Sequence, residues 1–287
     1  MIELIASGWK DYELLDSGEG LRLERFNEQY IVRPDPNILW KKSSSDHRGW
    51  LNPTAEYTGK SKDDNWLEYQ PVPKDWTISY KKARFALKLT PFRHVGIFPE
   101  QRGHWDWIEE VVSGFSGKHP KVLNLFAYTG ASSVIAALSG GEVCHVDASK
   151  SSIMWAKDNA QLSGLPDTAI RWIVDDVLKF LRREVRRGSK YDLIIMDPPV
   201  FGRGPKGEIW RLEERVKELA ELTAVLLSKQ PLGVLVNFYA TALYPQSIQR
   251  VFTSAYQNKG IELKLGSLVL EETLNKKTLP TGFFLRS

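Results

Sequence analysis

The sequence predicts an α/β fold, a largely parallel sheet covered by helices, preceded by a small β-rich domain. Two observations carry that prediction. From Lys121 onward, short apolar runs alternate with amphipathic helical patterns, the rhythm of strands joined by helical crossovers. Before residue 90, Pro34, Pro36, Pro53, Pro71 and Pro73 interrupt short aromatic and β-prone runs, and no helical periodicity is convincing. We therefore expect an N-terminal β-rich domain at residues 1–90 and a second domain at 91–287.

The first ninety residues hold five of the ten tryptophans: Trp9, Trp40, Trp50, Trp66 and Trp76. Such rings either fill the core of a small domain or offer stacking surfaces to bases, and the lack of a long helix argues for the core. Up to residue 90 there are 14 Lys and Arg and 14 Asp and Glu, so the whole chain's surplus of +4 lies in the remainder. Charge therefore gives no sign of a nucleic-acid platform in the N-terminal part. Asp46 to Asn65, rich in Ser, Gly, Asn and charge, reads as an exposed loop or a link between short strands. Trp105, Trp107, Ile108 and Val111 mark a short helix leading into the second domain, and His104 beside it reads as packed rather than catalytic.

The second domain opens with a strand at Val122 to Phe126, which breaks at Thr129-Gly130 into a helix carrying Val134, Ile135 and Leu138 on one face. A second strand, Val143 to Val146, stops at Asp147, which either grips ribose hydroxyls or caps the following helix, as Ser149 also can. A dinucleotide needs three glycines so that its pyrophosphate can approach the turn, and FAYTGASS has one. A cofactor without phosphates, such as S-adenosylmethionine, makes no such demand.

A strand at Ala169 to Val174 follows, then Asp175-Asp176 opening a helix with Leu178, Leu181 and Val185 on one face and ending at Gly188. Its other face, Lys179, Arg182, Arg183, Arg186 and Arg187, either touches phosphates or is merely solvated. Leu193 to Met196 is a buried strand ending in Asp197-Pro198-Pro199 and a Gly-rich loop, FGRGPKG. Ligands of open α/β sheets sit outside the carboxyl ends of the strands, so Asp197 should face the crevice shared by Gly130 and Asp147. Ile209, Leu212, Val216 and Leu219 then mark a long helix with a Glu213 to Lys217 pair on its exposed side. Gly233 to Phe238 is a fifth strand, and Ile248, Val251, Phe252 and Ala255 mark another helix. The last two strands, Ile261 to Leu270 and Gly282 to Leu285, have no helix between them and must pair antiparallel.

Gly96 to Arg102 (GIFPEQR), LFAYTG, VDASK, Asp175-Asp176 and DPPVF occur in the order of a known family. From about residue 90 onward the chain resembles the class I methyltransferases related to bacterial large-subunit (23S) ribosomal RNA methyltransferases, including the cytosine carbon-5 branch. The resemblance implies S-adenosylmethionine as cofactor, a Rossmann-like sheet of seven strands with an antiparallel last strand, and transfer of a methyl group to a nucleobase. It further implies Gln101 and Arg102 near the methionine end, with Asn124, Phe126, Ala127, Tyr128, Thr129 and Gly130 lining the cofactor. Asp147, with Ala148 and Ser149, would hold the ribose, Asp175 and Asp176 would approach the adenine, and Asp197 would stand beside the transferred methyl.

Two residues depart from the family pattern. Cytosine carbon-5 chemistry needs a nucleophilic thiolate, and the only cysteine, Cys144, sits inside a strand where a small buried residue belongs. The aromatic residue that follows DPP comes one place late, as Phe201, and either stacks on an extruded base or packs under the loop. The expected enzyme is a cytoplasmic S-adenosylmethionine-dependent methyltransferase acting on ribosomal RNA by direct transfer, with Asp197, Pro198 and Pro199 orienting the acceptor. A protein amide, a small molecule, or a non-catalytic RNA- or protein-binding role are the alternatives. No membrane span, signal peptide, disulfide framework or metal-ligand spacing is written in the chain.

Overall fold

The computed structural model describes residues 2–59 and 65–287. It divides into two compact units, one made of Ile5–Arg102 and Val269–Pro280, the other of Met1–Leu4, Gly103–Leu268 and Thr281–Ser287. The division falls at Arg102, past the boundary expected after residue 90, because the intervening segment belongs to the N-terminal core: Val95 and Ile97 are buried, and Arg33 donates to the carbonyl of Arg93 at 3.0 Å. The first unit also claims a hairpin tip that is far away in sequence. Within it Thr273 N–H donates to Leu14 O at 2.8 Å and Asn275 Nδ2 to Asp16 Oδ1 at 3.1 Å.

Short strands build the N-terminal unit, as expected. After β1 (Ile2–Ala6) come β2 (Tyr12–Gly18), β3 (Leu21–Phe26), β4 (Gln29–Pro34), the single-turn α1 (Arg48–Leu51), β5 (Ala55–Tyr57) and β6 (Trp66–Glu68), with β2 to β6 adjoining in that order. β7 (Thr77–Tyr80) and β8 (Ala83–Ala86) form a separate hairpin. The β2–β3 turn, Glu19-Gly20, has both residues at positive φ, the backbone that matches strand twist in a two-residue hairpin. Trp9, Trp66 and Trp76 are buried, Trp50 is half-buried, and Trp40 is exposed, so three of the five tryptophans are core. Of the segment expected to be a loop, residues 46–59 include α1 and β5, and residues 60–64 lie outside the described residues.

The second unit begins with α2 (Arg102–Ser113) and continues β9 (Lys121–Leu125), α3 (Ala131–Leu138), β10 (Glu142–Asp147), α4 (Lys150–Leu162), β11 (Ile170–Val174) and α5 (Val177–Arg187). Then come β12 (Leu193–Met196), β13 (Phe201–Arg203), β14 (Ile209–Arg211), α6 (Leu212–Leu226), β15 (Gly233–Phe238), α7 (Pro245–Tyr256), β16 (Lys264–Glu271) and β17 (Thr278–Arg286). The sheet order is β1-β16-β17-β15-β12-β9-β10-β11. The strands β9, β10, β11, β12 and β15 run parallel, β17 runs antiparallel to β15 as the expected reversed last strand, and β16 adjoins β17. The expected seven strands are present, and β1 adds an eighth at the β16 edge.

Every residue of β12 and of β15 is buried, which is why LIIM and, Asn237 apart, GVLVNF are apolar without alternation. Ser149 caps α4 and Asp176 caps α5, each accepting a backbone N–H, while Gly188 closes α5 at φ 69°. Two expectations change in the stretch after Pro199. The Gly-rich loop is a β-ribbon, β13 with β14, and Ile209 belongs to it, so α6 starts only at Leu212. Lys217 pairs forward with Glu221 at 3.8 Å rather than back to Glu213.

Candidate functional site

Parallel pairing sets three residues in one row. Leu125 of β9 lies level with Val146 of β10 and Met196 of β12, so Phe126, Asp147 and Asp197 each follow that row by one residue, Asp147 as the last residue of β10 and the other two just past their strands. On the far side of β10, Asp147 is level with Val174, the residue before Asp175, and Asp175 N–H donates to Asp147 O at 3.1 Å. Neighbouring strands lie about 4.8 Å apart, so Asp147 and Asp197 are separated by about 10 Å across β9. That is the scale of a nucleoside carrying a short side arm.

Between them the chain turns through a strained path. Phe126, Tyr128 and Gly130 have φ of 54°, 49° and 81°, alternate left-handed residues of which only the glycine tolerates that backbone without cost. Bulky residues at positive φ persist only where the surroundings hold them, and they cluster at ligand sites. The hold here is Asp147: its Oδ2 accepts Tyr128 N–H at 2.8 Å and its Oδ1 accepts Ser149 N–H at 2.8 Å. Burial pushes the Asp147 carboxyl upward, and the N–H groups of Ser149, Tyr128 and Ala148 pull it back. A Cβ on Gly130 would lie 2.9 Å from Ala156 Cβ, so the turn packs tightly onto α4.

Beneath the turn a buried polar chain supports it. Asn124 Nδ2 donates to Ser133 Oγ at 2.9 Å, and Ser133 Oγ meets His145 Nδ1 at 3.0 Å. His145 is fully buried, and burial holds its imidazole neutral, with its pKa lowered to about 3. Asn124, expected to line the cofactor, therefore directs its amide into this chain under the turn. No local sequence signal marks His145 or Ser133, because what joins them is the register between β10 and α3.

At the other end of the row Asp197 is half-buried, Pro198 buried and Pro199 exposed. Trp210 Nε1 donates to the carbonyl of Pro199 at 2.6 Å, and the Trp210 ring lies 4.7 Å from that of Phe126. One indole thus ties the DPP segment to the strained turn.

The family model for S-adenosylmethionine-dependent methyltransferases matches residues 23–237. The chain belongs to this methyltransferase family. It is similar over its whole length to the crystal structure of the SAM-dependent methyltransferase from Agrobacterium tumefaciens, with 39% identity, a TM-score of 0.94 and 93% of that chain covered. Among curated proteins it is 32% identical over 216 residues to ribosomal RNA large subunit methyltransferase I of Tolumonas auensis, covering 74% of this chain and 50% of that protein. It is also 24% identical over 269 residues to ribosomal RNA large subunit methyltransferase K of Neisseria meningitidis, covering 91% of this chain and 73% of that one. This methyltransferase thus spans half the length of the Tolumonas protein.

The donor set of this methyltransferase fits a nucleoside cofactor without phosphates. Residues 124–130 contain one glycine and no cation, and the edge carries Asp147, Asp175 and Asp197, which would repel a pyrophosphate. Asp176 Oδ1 accepts Lys179 N–H at 2.9 Å as the α5 cap, and Asp175 Oδ1 accepts Asp176 N–H at 2.9 Å while its other oxygen pairs with Arg183. Gln101, buried in the 3-10 turn Pro99–Gln101, and Arg102, over the Tyr80 ring, fall in the N-terminal unit. Among the described residues no cluster of His, Cys, Asp or Glu could hold a metal ion, and no helix is long and apolar enough to cross a membrane.

The discounted residues are inert. Cys144 is buried and burial pushes its thiol up to about 11, while His104 is fully buried against Phe284 with its pKa lowered to about 3 by burial and then by Arg286. Most of the basic α5 face is neutralised: Lys179 pairs with Glu208, Arg182 with Glu218, Arg183 with Asp175 and Arg187 with Glu184.

Proposed function

We propose that this chain transfers the methyl group of S-adenosylmethionine to a base of large-subunit ribosomal RNA. The observation that carries the reading is the row of Asp147, Phe126 and Asp197 at the carboxyl ends of three adjoining parallel strands. Asp147 accepts ribose hydroxyls, the Phe126–Gly130 turn and Ala148-Ser149 surround the nucleoside, and Asp175 and Asp176 stand toward the base. The bound cofactor supplies an electrophilic methyl on an activated sulfonium. Support for a ribosomal RNA acceptor comes from the names of the curated relatives.

At the acceptor end, Asp197 and a following backbone carbonyl accept N–H bonds from a substrate amine and aim its lone pair at the methyl, so catalysis is mainly positioning. Pro198-Pro199 fixes those acceptors in a rigid turn. A covalent route through Cys144 finds no support, since its thiol is buried and protonated at neutral pH. The test is methyl transfer from labelled S-adenosylmethionine to an unmodified large-subunit ribosomal RNA transcript. Asp197→Ala should lower turnover by roughly a hundredfold, and Cys144→Ser should leave it near wild type. The reverse pattern would invert the mechanism.

A further inference from the structure

The ribbon after the DPP segment has two unlike faces. Phe201 stands opposite Arg211, Gly202 opposite Trp210 and Arg203 opposite Ile209. Side chains alternate across a strand, so Gly202 and Trp210 share one face and the other four residues share the opposite one. The first face is structural: Trp210 is 4% exposed and holds Pro199 and Phe126. The second is Phe201, Arg203, Ile209 and Arg211, all exposed, with Phe201 at 54% and Ile209 at 56%.

Folding gives no reason for this arrangement. A ribbon that served only to close a loop would turn polar residues outward and bury its apolar ones, whereas here the outer face is aromatic, aliphatic and twice cationic. Its charge is also less compensated than that of the neighbouring helix. On α5 four of the five cations have carboxylate partners, but on the ribbon's outer face Arg211 meets Glu214 at 3.7 Å, with both side chains more than half exposed. Exposed pairs of that kind contribute little and exchange readily for a phosphate.

We propose that the outer face of the ribbon holds a single-stranded stretch of the acceptor RNA, with a base stacked on Phe201 and flanking phosphates on Arg203 and Arg211. The proposal rests on the RNA acceptor reading above and deepens it. Directly opposed residues lie about 5 Å apart, so Phe201 and Arg211 can engage one nucleotide, base and phosphate together. The strand must be single because a ring can stack only on a base freed from its duplex. Phe201 lies four positions beyond Asp197, so a nucleotide gripped here is a close neighbour of the one presented for methylation. These are positioning residues, acting on acceptor binding rather than on the methyl.

Three measurements on the full chain test the ribbon: affinity for a fluorescein-labelled single-stranded RNA oligonucleotide, KM and kcat on the unmodified transcript, and calorimetric titration with S-adenosylmethionine. Phe201→Ala should weaken RNA binding by about fivefold or more and raise KM more than it lowers kcat, with Phe201→Trp restoring both. Arg203→Gln with Arg211→Gln should reduce the slope of log affinity against log salt by about 1.4, the value for two phosphates on a single strand. Cofactor affinity should stay at the wild-type value throughout, which separates loss of contact from loss of fold. Variants with wild-type RNA affinity and salt slope, in an enzyme that does methylate the transcript, overturn the ribbon and leave the RNA acceptor standing. A wild-type enzyme that binds the cofactor but methylates a protein fraction instead of RNA removes the acceptor reading, and the ribbon's occupant with it.

Discussion

Asp16 in the N-terminal unit and Asp147 in the second unit are both carboxylates facing backbone N–H groups, but they are not equally filled. Asp16 is fully buried and takes four donors, Ser43 N–H, Asn275 Nδ2, Ser44 N–H and Trp50 Nε1, at 3.3, 3.1, 3.0 and 2.9 Å. A carboxylate has about four lone-pair sites, so Asp16 has nothing left for a ligand. Asp147 takes three backbone N–H groups, those of Tyr128 and Ser149 at 2.8 Å and that of Ala148, and stands at the carboxyl end of β10 with acceptor capacity remaining. A saturated carboxylate organises its own loops; one with an acceptor site left at the end of a strand is available for chemistry.

The contrast extends through both units. The N-terminal unit buries charge in matched sets: Glu24, fully buried, receives Arg33 Nε at 2.6 Å, Arg33 Nη2 at 2.7 Å and Tyr12 OH at 2.9 Å. Burial pushes the Glu24 carboxyl up, but Arg22 and Arg33 outweigh it and hold the group below its ordinary range. The second unit buries one paired charge, Glu184 with Arg187 and Tyr191, and beside it the neutral polar groups His104, His145 and Asn124.

Acid is the strongest way to separate the two strategies. Folding lowers the pKa of His104 and His145 to about 3, so between pH 6.5 and 3 the unfolded chain binds protons that the folded unit refuses, and stability falls as pH falls. Each histidine should cost about 2–3 kcal/mol at pH 4.5 relative to pH 7. The N-terminal unit carries one such group, His94 at about 4, lowered by burial and by Arg33. Glu24 has the depressed carboxylate's sign, so its stabilisation persists above the unfolded pKa and disappears only as pH falls through the lower folded value. Urea midpoints from pH 7 to 4.5 should therefore fall more steeply for wild type than for His145→Gln; parallel curves would refute a buried neutral His145. Next in size, Glu24→Gln should destabilise by about 3–5 kcal/mol, because Arg33 and Arg22 are then left buried without a full counter-charge. Denaturant melts decide it, and a loss under about 1 kcal/mol would mean the network is replaceable.

How legible all this was in the sequence depends on the distance over which each feature is determined. The strand ends at Leu125, Asp147 and Met196 were readable because apolar runs, a glycine and two prolines mark them locally, and with them the row at the edge. The positive φ of Phe126 and Tyr128 was not, since neither residue type signals it and the conformation is imposed by Asp147, 19 residues beyond Tyr128. The basic face of α5 stayed open between phosphate contact and solvation for the same reason: Glu208 and Glu218, which neutralise Lys179 and Arg182, are 29 and 36 residues away. The segment Val269–Pro280, a hairpin tip by pattern, joins the N-terminal unit through Thr273 and Asn275, and no local rule announces a partner 259 residues distant.

The finest distinction is whether Asp147 differs from Asp16 in function or only in setting, and Asp147→Asn addresses it directly. The amide keeps the volume and one acceptor, so the Phe126–Gly130 turn retains one of its two anchors, while the charge and the second acceptor are lost. A ribose hydroxyl bonded to a carboxylate contributes about 1.5–3 kcal/mol, so calorimetry should find S-adenosylmethionine binding weakened by about 10–150-fold. NADH, tested in parallel, should bind neither wild type nor variant, because FAYTG lacks the glycines a pyrophosphate needs. Thermal unfolding of the unliganded variant should shift by no more than the loss of one hydrogen bond, about 1 kcal/mol. Undiminished cofactor affinity combined with a large loss of stability would place Asp147 in the same class as Asp16, a carboxylate that shapes its turn and nothing else.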